Sequence, residues 1–267
     1  MAVKLGLIGG GVMGEALLSR LIARRIYLPD TVLVSEPLSA RRDYLKEKYQ
    51  VRVTADNQAA ASADEVLLLA VKPQALDAVV ASLAGEREIC PLVISILAGV
   101  PISRLEAAFP EQSVIRVMPN TPATVGAGMT AIASGSQVNS EQVALARSIF
   151  EAVGQVVAVP ESLLDAVTGL SGSGPAFVAI AIEALADGGV AAGLPRAIAS
   201  QLAVQTVLGT AQLLQESGLH PAALKDKVTS PGGTTIIGVA ELEKLGFRSA
   251  LIQAVQAAAR RSQELGE

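Results

Sequence analysis

The glycines near the start of the chain have the clearest chemical purpose. Gly9, Gly11 and Gly14 form a G-x-G-x-x-G pattern after an apolar run at 4–8 and before a helical pattern. In that context Gly9 permits a tight turn, Gly11 lets a pyrophosphate approach the backbone, and Gly14 lets the helix pack closely on the strand. The first turn of the helix adds free N–H groups and a positive dipole end. The pattern predicts a dinucleotide-binding turn.

The end of the next predicted strand bears on the choice between NAD and NADP. Glu36 lies where NAD-binding proteins place a ribose-binding acid, whereas Ser35, Arg41 and Arg42 suit a 2′-phosphate. If Glu36 points to solvent, Ser35 and an arginine favour NADP. Arg41 and Arg42 are equally explained as a solvated helix face. The residues therefore leave both dinucleotides open.

Lys72 follows a further apolar run, at a predicted strand end. Ligands of doubly wound sheets bind outside the carboxyl ends of the strands. Lys72 is therefore a candidate for a cofactor phosphate, a ribose or the substrate, and a surface lysine extending into solvent is the alternative.

A second anion site is predicted at 230–235, which reads Ser-Pro-Gly-Gly-Thr-Thr. Ser230 is expected to cap a helix and Pro231 to preset its first φ angle. Gly232 and Gly233 expose backbone N–H groups that suit a carboxylate, with the hydroxyls of Thr234 and Thr235 one turn away. A plain capped helix explains the same residues equally well.

The elements that position these residues alternate between two periodicities. Apolar, β-branched runs predict buried strands, and amphipathic stretches between them predict helices, so we expect βαβ units and a mostly parallel sheet with helices on both faces. The predicted strands are 4–8, 31–35, 65–71, 92–97, 114–118, 128–133 and 155–159, and the helices are 12–25, 38–49, 74–84, 102–108 and 140–152.

Strand signals stop at Pro160, and long Ala/Leu-rich helices follow. The boundary predicts two domains: an α/β Rossmann-type dinucleotide-binding domain at 1–160 and an all-α domain at 161–267. The helical domain is very apolar, because 176–186 carry one charge and 197–214 carry none. Burial of these helices against another subunit is the simplest explanation of the low charge content. Packing inside a compact bundle of the same chain is the alternative.

Composition excludes several classes of function. The chain has 51% hydrophobic and 17% charged residues, so it is not disordered by composition. Its net charge of −4 and 3% aromatic residues argue against a nucleic-acid or anionic-membrane partner. One cysteine, Cys90, and one histidine, His220, predict no disulfide framework and no metal site. The uncharged stretches are too interrupted to predict a membrane span, and a reducing, cytoplasmic location is expected.

Six motifs together resemble the pyrroline-5-carboxylate reductase family, the enzymes of the last step of proline biosynthesis. The resemblance runs in order and with matching spacing from the first strand to 247–249. The motifs are Gly9 to Gly14, Ala70-Val71-Lys72-Pro73, Met118-Pro119-Asn120-Thr121-Pro122, Ser171-Gly172-Ser173-Gly174-Pro175-Ala176, Asp187-Gly188-Gly189-Val190 and Ser230-Pro231-Gly232-Gly233-Thr234-Thr235.

The resemblance implies a Rossmann domain, a helical dimerisation domain, active sites at the subunit interface, and NADPH as cofactor with NADH as the alternative. The substrate carboxylate is then held by Ser230, Gly232, Gly233 and Thr234, and Thr235 is the catalytic hydroxyl near the ring nitrogen. Glu36 departs from the small or polar residue often seen after the family serine. The implied cofactor-binding residues are Gly9, Gly11, Val12, Met13, Gly14, Ser35, Asn57, Ala70, Val71, Lys72, Pro73, Ile96, Leu97 and Ala98.

Two other functions remain open at this point. Hydroxyacid dehydrogenases share the first domain but use a lysine on a helix of the second, and no lysine follows Gly174 and Pro175 at the start of that helix. A redox sensor that binds NADPH without catalysis is the other alternative. Reduction of a cyclic imine is compatible with a chain that has one histidine, because an iminium is a good electrophile that needs orientation more than a strong acid. His220, just before Pro221, is expected to be structural.

Overall fold

The computed structural model describes residues 2–83 and 92–266, which form two compact units. The first unit takes in 2–83, 92–173 and 257–266, and the second is Gly174–Gln256. Cys90 and the predicted helix end at Ala84 lie outside the described residues.

The first unit is built on one eight-stranded sheet. Its strand order is β3-β2-β1-β4-β5-β6-β7-β8, and every neighbouring pair is parallel except β6 and β7. This confirms the predicted doubly wound architecture. The strands are β1 (Leu5–Ile8), β2 (Val32–Ser35), β3 (Arg52–Thr54), β4 (Val66–Leu69), β5 (Leu92–Ser95), β6 (Ser113–Met118), β7 (Gly128–Ser134) and β8 (Gly154–Ala158).

Helices cover both faces of the sheet, so the central strands are buried on both sides. One apolar cluster holds Leu17, Leu21 and Phe150, and the other holds Val79 and Leu105. The helices of this unit are α1 (Val12–Ala23), α2 (Ser39–Tyr49), α3 (Asn57–Ala61), α4 (Leu76–Ser82), α5 (Ile102–Ala108), α6 (Ser140–Glu151) and α7 (Leu164–Val167).

Two short elements were missing from the predicted pattern. β3 pairs only with β2 and lies at the edge of the sheet, where Arg52 is exposed and Val53 and Thr54 are half-buried. Because the strand is short and half-solvated, it has no continuous apolar run. The five-residue helix α3 is started by the Asp56 side chain, which accepts a hydrogen bond from Gln58 N at 2.9 Å.

An ion pair ties β6 to the start of the helical sequence. Arg116 Nη1 donates to Glu161 Oε1 at 2.9 Å, and the same oxygen accepts from Ile102 N at 2.6 Å. The Arg116 side chain is only 10% exposed, so Glu161 neutralises a charge inside the unit. Glu161 follows Pro160, the predicted domain boundary, and its side chain belongs to the first unit.

The second unit is helical, and none of the described residues after 160 is in a strand. Large apolar side chains project outward from its first two helices, including Ile180 at 64% exposed and Leu202 at 52% exposed. Its helices are α8 (Gly174–Ala191), α9 (Arg196–Ser217), α10 (Pro221–Lys227), α11 (Thr234–Lys244) and α12 (Phe247–Gly266), the last of which continues into the first unit.

Among the described residues, two helical stretches are long and apolar enough to cross a membrane by length and composition alone. They are Glu161–Ala191 and Arg196–Ser217, and little of either is buried within a single chain. An exposed apolar face of this kind is also what a subunit interface requires.

Candidate active site

The three motif glycines have three different environments. Gly9 has φ +104°, and a Cβ there would lie 2.6 Å from the Ala70 carbonyl oxygen, so the turn after β1 requires glycine. A Cβ on Gly14 would lie 2.2 Å from the Gly9 oxygen, so α1 packs directly on the turn. A Cβ on Gly11 would meet no atom within 4 Å. The backbone at Gly11 is thus open, as a pyrophosphate site needs.

A cavity of about 460 Å³ lies at the carboxyl ends of β1, β2 and β4. Within it the Ser35 hydroxyl donates to Asn57 Oδ1 at 2.7 Å, and Asn57 Nδ2 donates to Ser82 Oγ at 2.9 Å. The predicted cofactor residues that line this cavity are Gly9, Gly11, Ser35, Asn57, Ala70, Val71 and Lys72.

A second, smaller cavity has a volume of about 300 Å³. Lys72 lines the larger cavity, and Pro73, the next residue after β4, lines the smaller one. Ala98, after β5, also lines the smaller cavity, together with Thr168 and Ser173. Val12, Met13, Gly14, Ile96 and Leu97 line neither cavity. The assignment of every predicted residue to the cofactor stays a prediction.

The Glu36 side chain does not point to solvent. The condition under which Ser35 and an arginine favour NADP, a solvent-facing Glu36, is therefore not met. Its residue is 8% exposed, Oε2 accepts from Gly10 N at 3.0 Å, and Oε1 accepts from Leu38 N at 3.1 Å. Arg42 donates to the Glu36 and Pro37 carbonyl oxygens at 2.7 and 2.8 Å. The carboxylate therefore lies in the wall of the larger cavity, against the glycine-rich turn.

Arg41 is also bound to protein groups, through a cluster that the sequence did not predict. Its Nε donates to the Gly10 oxygen at 2.7 Å, and its Nη2 forms an ion pair with Glu15. Glu15 Oε1 accepts further bonds from Tyr49 Oη at 2.6 Å and from Lys48 Nζ and Tyr44 Oη at 3.0 Å. No sequence motif marks this cluster, because its members come together only when α1 packs beside α2.

The cluster shifts the acidity of Glu15. Burial raises the pKa of this carboxyl, but the hydrogen bonds from Tyr49, Arg41, Lys48 and Tyr44 together outweigh burial and lower the pKa to about 2. The ion pairs with Arg41 and Lys48 thus require ionised Glu15, and the cluster stabilises the folded chain most when Glu15 is ionised.

We expect the free energy of unfolding to fall as pH drops from about 4.5 towards 2. The folded-state pKa of Glu15 is depressed to about 2 from an ordinary value of 4.5, so its contribution is complete above that window and is lost within it. Urea denaturation at several pH values measures this, with Glu15→Gln predicted to be less stable near neutral pH and to lose part of the acid dependence. Glu151→Gln, at a more exposed carboxylate, is the control. An unchanged acid dependence in Glu15→Gln would contradict the assignment.

The predicted anion site of the second unit starts differently from the prediction. Ser230 does not cap α11, because the helix begins at Thr234 and its N-cap residue is Gly233, which has no side chain to bond the first amides. Instead the Ser230 carbonyl accepts from Gly233 N at 3.0 Å, in a turn that needs φ +66° at Gly232. The prediction placed the cap three residues too early. The result is an uncapped helix start, which suits an anion better than the capped one expected.

The remaining residues of this segment lie at that helix start. Thr235 is half-buried, while Ser230, Gly232 and Thr234 are exposed. The environment of Gly233 is tight, since a Cβ there would lie 2.3 Å from Ser230 Oγ. Their roles toward the substrate stay predictions.

His220 caps a different helix. Its Nδ1 accepts from Ala222 N at 3.2 Å at the start of α10, which agrees with the expected structural role. Within the described residues no group of three His, Cys, Asp or Glu side chains is placed to hold a metal ion.

The two halves of the chain match two family models. Residues 4–99 match a family described as NADP oxidoreductase coenzyme F420-dependent, and residues 161–265 match one described as pyrroline-5-carboxylate reductase dimerisation. With a dinucleotide-type glycine turn on a doubly wound sheet, followed by helices, these matches define an NADP-dependent oxidoreductase with a Rossmann domain and a helical domain.

Full-length relatives identify the family. A pyrroline-5-carboxylate reductase of Synechocystis sp. is 67% identical over 267 residues and covers 100% of both chains. Among solved structures, a pyrroline-5-carboxylate reductase from Coxiella burnetii has a TM-score of 0.91 at 36% identity, covering 100% of both chains. The Plasmodium falciparum pyrroline carboxylate reductase with NADP bound has a TM-score of 0.88 at 32% identity, covering 99% of this chain and 98% of that one. The chain belongs to the pyrroline-5-carboxylate reductase family, which confirms the resemblance.

Proposed function

We propose that the chain reduces 1-pyrroline-5-carboxylate to L-proline, the last step of proline biosynthesis, with NADPH as the hydride donor. The observation that carries the proposal is the open backbone at Gly11, inside a cavity at the carboxyl ends of β1, β2 and β4. A cavity at this edge of the sheet lies where dinucleotides bind in this class of fold, and the substrate is inferred from the family. When bound, the reduced nicotinamide supplies the hydride for the imine carbon.

The chain's own residues bind and orient. The amides at Gly11 and the start of α1 hold the pyrophosphate, because the space beside the Gly11 Cα is open, the helix has no side-chain cap, and its first turn is the positive end of the helix dipole. Lys72 is exposed at the mouth of the larger cavity and places a cation beside the phosphates or the ribose. Ser35 and Asn57 are hydrogen-bonded to each other and hold the ribose end of the dinucleotide.

The uncapped start of α11 holds the substrate carboxylate. Its first amides have no side-chain cap, and the Ser230–Gly233 turn leaves them accessible. Thr235, the second residue of α11, hydrogen-bonds the ring nitrogen through its hydroxyl, so the ring is fixed at two points. The dinucleotide is then bound by residues of the first unit, whereas the substrate is bound by residues of the second unit, Gly174–Gln256.

We expect the Glu36 carboxylate to lower kcat/KM with NADPH relative to kcat/KM with NADH. Replacing Glu36 by glutamine measures the size of this effect. The extra 2′-phosphate of NADPH enters a cavity whose wall holds this buried carboxylate, so the two like charges repel. Glu36→Gln should raise the ratio of kcat/KM with NADPH to kcat/KM with NADH about tenfold, which corresponds to about 1.4 kcal/mol.

The control for this change is Glu47→Gln, which removes an exposed carboxylate from α2. It should leave the cofactor ratio unchanged. A ratio that moves equally in both variants, or that falls in Glu36→Gln, would show that the Glu36 charge does not act on the 2′-phosphate.

A homodimer in the cytoplasm is the assembly we propose. The exposed apolar side chains of α8 and α9 lie within the sequence that matches the dimerisation family, so a second chain covers them rather than a lipid bilayer. The chain's partners are then its small-molecule substrate and its own copies, with no nucleic acid or membrane.

Steady-state assays separate this function from its rivals. NADPH and NADH oxidation is followed at the nicotinamide absorbance with 1-pyrroline-5-carboxylate, with a six-membered cyclic imine carboxylate, and with 2-oxo acids as hydroxyacid dehydrogenase substrates. Oxidation with the five-membered imine supports the proposal. Oxidation with 2-oxo acids alone would favour a hydroxyacid reductase, and binding without oxidation would favour a sensor.

A further inference from the structure

Two motifs that have no role in the proposed chemistry meet at one side chain. Asn120, from the Met-Pro-Asn-Thr-Pro motif, is 9% exposed. Its Nδ2 donates to the Ser171 carbonyl oxygen at 3.1 Å, and its Oδ1 accepts from Met129 N at 2.9 Å. Asn120 thus connects the start of β7 to the Ser-Gly-Ser-Gly-Pro motif, 51 residues further along the chain.

The segment that Asn120 holds is a π-helical turn, Thr168–Gly172. Ser173 N donates to the Thr168 oxygen at 2.8 Å, and this i to i−5 spacing is rare and often found at functional sites. The turn also packs tightly on the end of β6, since a Cβ on Gly172 would lie 2.8 Å from Met118 Cε. The turn is therefore fixed against the carboxyl edge of the sheet by one hydrogen bond and one close contact.

The first residue of this turn and the residue that follows its last one line the smaller cavity. Thr168 and Ser173 face it together with Pro73 and Ala98 from the ends of β4 and β5. The larger cavity contains the end of β2, where the adenosine ribose binds in this class of fold, and the adjacent residues Lys72 and Pro73 line the larger and the smaller cavity respectively. A dinucleotide that lies along both cavities places its nicotinamide end in the smaller one.

We propose that Asn120 is a positioning residue: by fixing the π-turn Thr168–Gly172, it sets the wall of the smaller cavity that orients the nicotinamide ring. This inference rests on the proposed function, because it assigns the smaller cavity to the reactive end of the cofactor. Asn120 touches neither cavity. It acts through the position of Thr168 and Ser173.

The test is Asn120→Asp, which keeps an oxygen for Met129 N but replaces the donor to the Ser171 oxygen by a second acceptor. Two experiments are done on the full-length protein. A fluorescence titration gives the NADPH affinity and the fluorescence enhancement of the bound reduced nicotinamide, and steady-state kinetics with the imine give kcat and the KM for NADPH. We expect NADPH affinity within about twofold of wild type, a reduced fluorescence enhancement, and kcat lowered about tenfold to a hundredfold with the KM for NADPH nearly unchanged.

Asn139→Ala is the matched control. Asn139 Oδ1 also accepts a backbone N–H, from Gln142 at 2.9 Å, but it caps α6 and lines neither cavity. It should lower the melting temperature while leaving the fluorescence enhancement and kcat unchanged. If Asn120→Asp only lowers the melting temperature, as Asn139→Ala does, the positioning role is wrong.

The fluorescence measurement keeps this inference separate from the proposed reaction. If wild-type protein binds NADPH but does not oxidise it with the imine, the proposed function fails, and the loss of enhancement in Asn120→Asp still supports the positioning role. If the enhancement is unchanged in that variant, the positioning role fails whatever the substrate is.

Discussion

Thr235→Ala is expected to lower kcat/KM for the imine about tenfold to a thousandfold, the range for loss of one positioned hydrogen-bonding group. The hydroxyl lies at the second residue of α11, in the first turn of a helix without a side-chain cap. Without it the carboxylate is still bound at the helix start, but the ring nitrogen loses its partner. The loss should therefore appear mainly in kcat, measured by steady-state kinetics with saturating NADPH.

Thr235→Ser is the matched variant, because it keeps the hydroxyl and removes only the methyl group. It should retain most of the activity. NADPH affinity should be the same in both variants, since the dinucleotide cavity is formed by residues of the first unit. Wild-type kinetics in Thr235→Ala would remove this residue from the mechanism.

Gly11→Ala is expected to weaken NADPH binding about tenfold to a hundredfold while leaving the fold intact. Gly11 has φ −68° and ψ −170°, which alanine adopts without strain, and its added Cβ meets no protein atom within 4 Å. The methyl group enters the space predicted for the pyrophosphate, and a clash of that size costs about 1–3 kcal/mol. Fluorescence titration with NADPH gives the affinity and thermal unfolding gives the stability.

Gly14→Ala provides the contrast within the same motif. Its Cβ would lie 2.2 Å from the Gly9 oxygen, so this change must displace α1 or the turn and lower the melting temperature. If Gly11→Ala instead destabilises the chain and binds NADPH normally, the open backbone at Gly11 is not a phosphate site.

The architecture of the first unit follows from the sequence because its central strands are buried on both faces. Such strands are continuous apolar runs, and all of those predicted are present within a few residues of their predicted ends. β3 is not predicted from the sequence, because this edge strand contains an exposed arginine and no continuous apolar run. The two units divide at Ser173 and at Ala257, positions that depend on tertiary contacts and not on periodicity.

The site was less predictable, because side-chain partners distant in sequence decide it. The sequence does not decide whether Glu36 faces the cofactor site or solvent. Its hydrogen bonds from Gly10 N and Leu38 N place the carboxylate in the cavity wall. Ser230 had the residue type of a cap, yet the turn at Gly232 moves the helix start to Thr234. Local sequence describes which groups are present, and only the packed structure decides which of them are free to bind a ligand.

Isotope transfer from the cofactor tests the central claim most directly. Purified protein is incubated with 1-pyrroline-5-carboxylate and NADPH deuterated at the transferred position of C4, and the product is analysed by mass spectrometry and NMR. The proposed function predicts L-proline with one deuterium at Cδ, the former imine carbon, and one NADPH oxidised for each proline formed. Unlabelled proline, or NADPH left unoxidised in the presence of the imine, would contradict it.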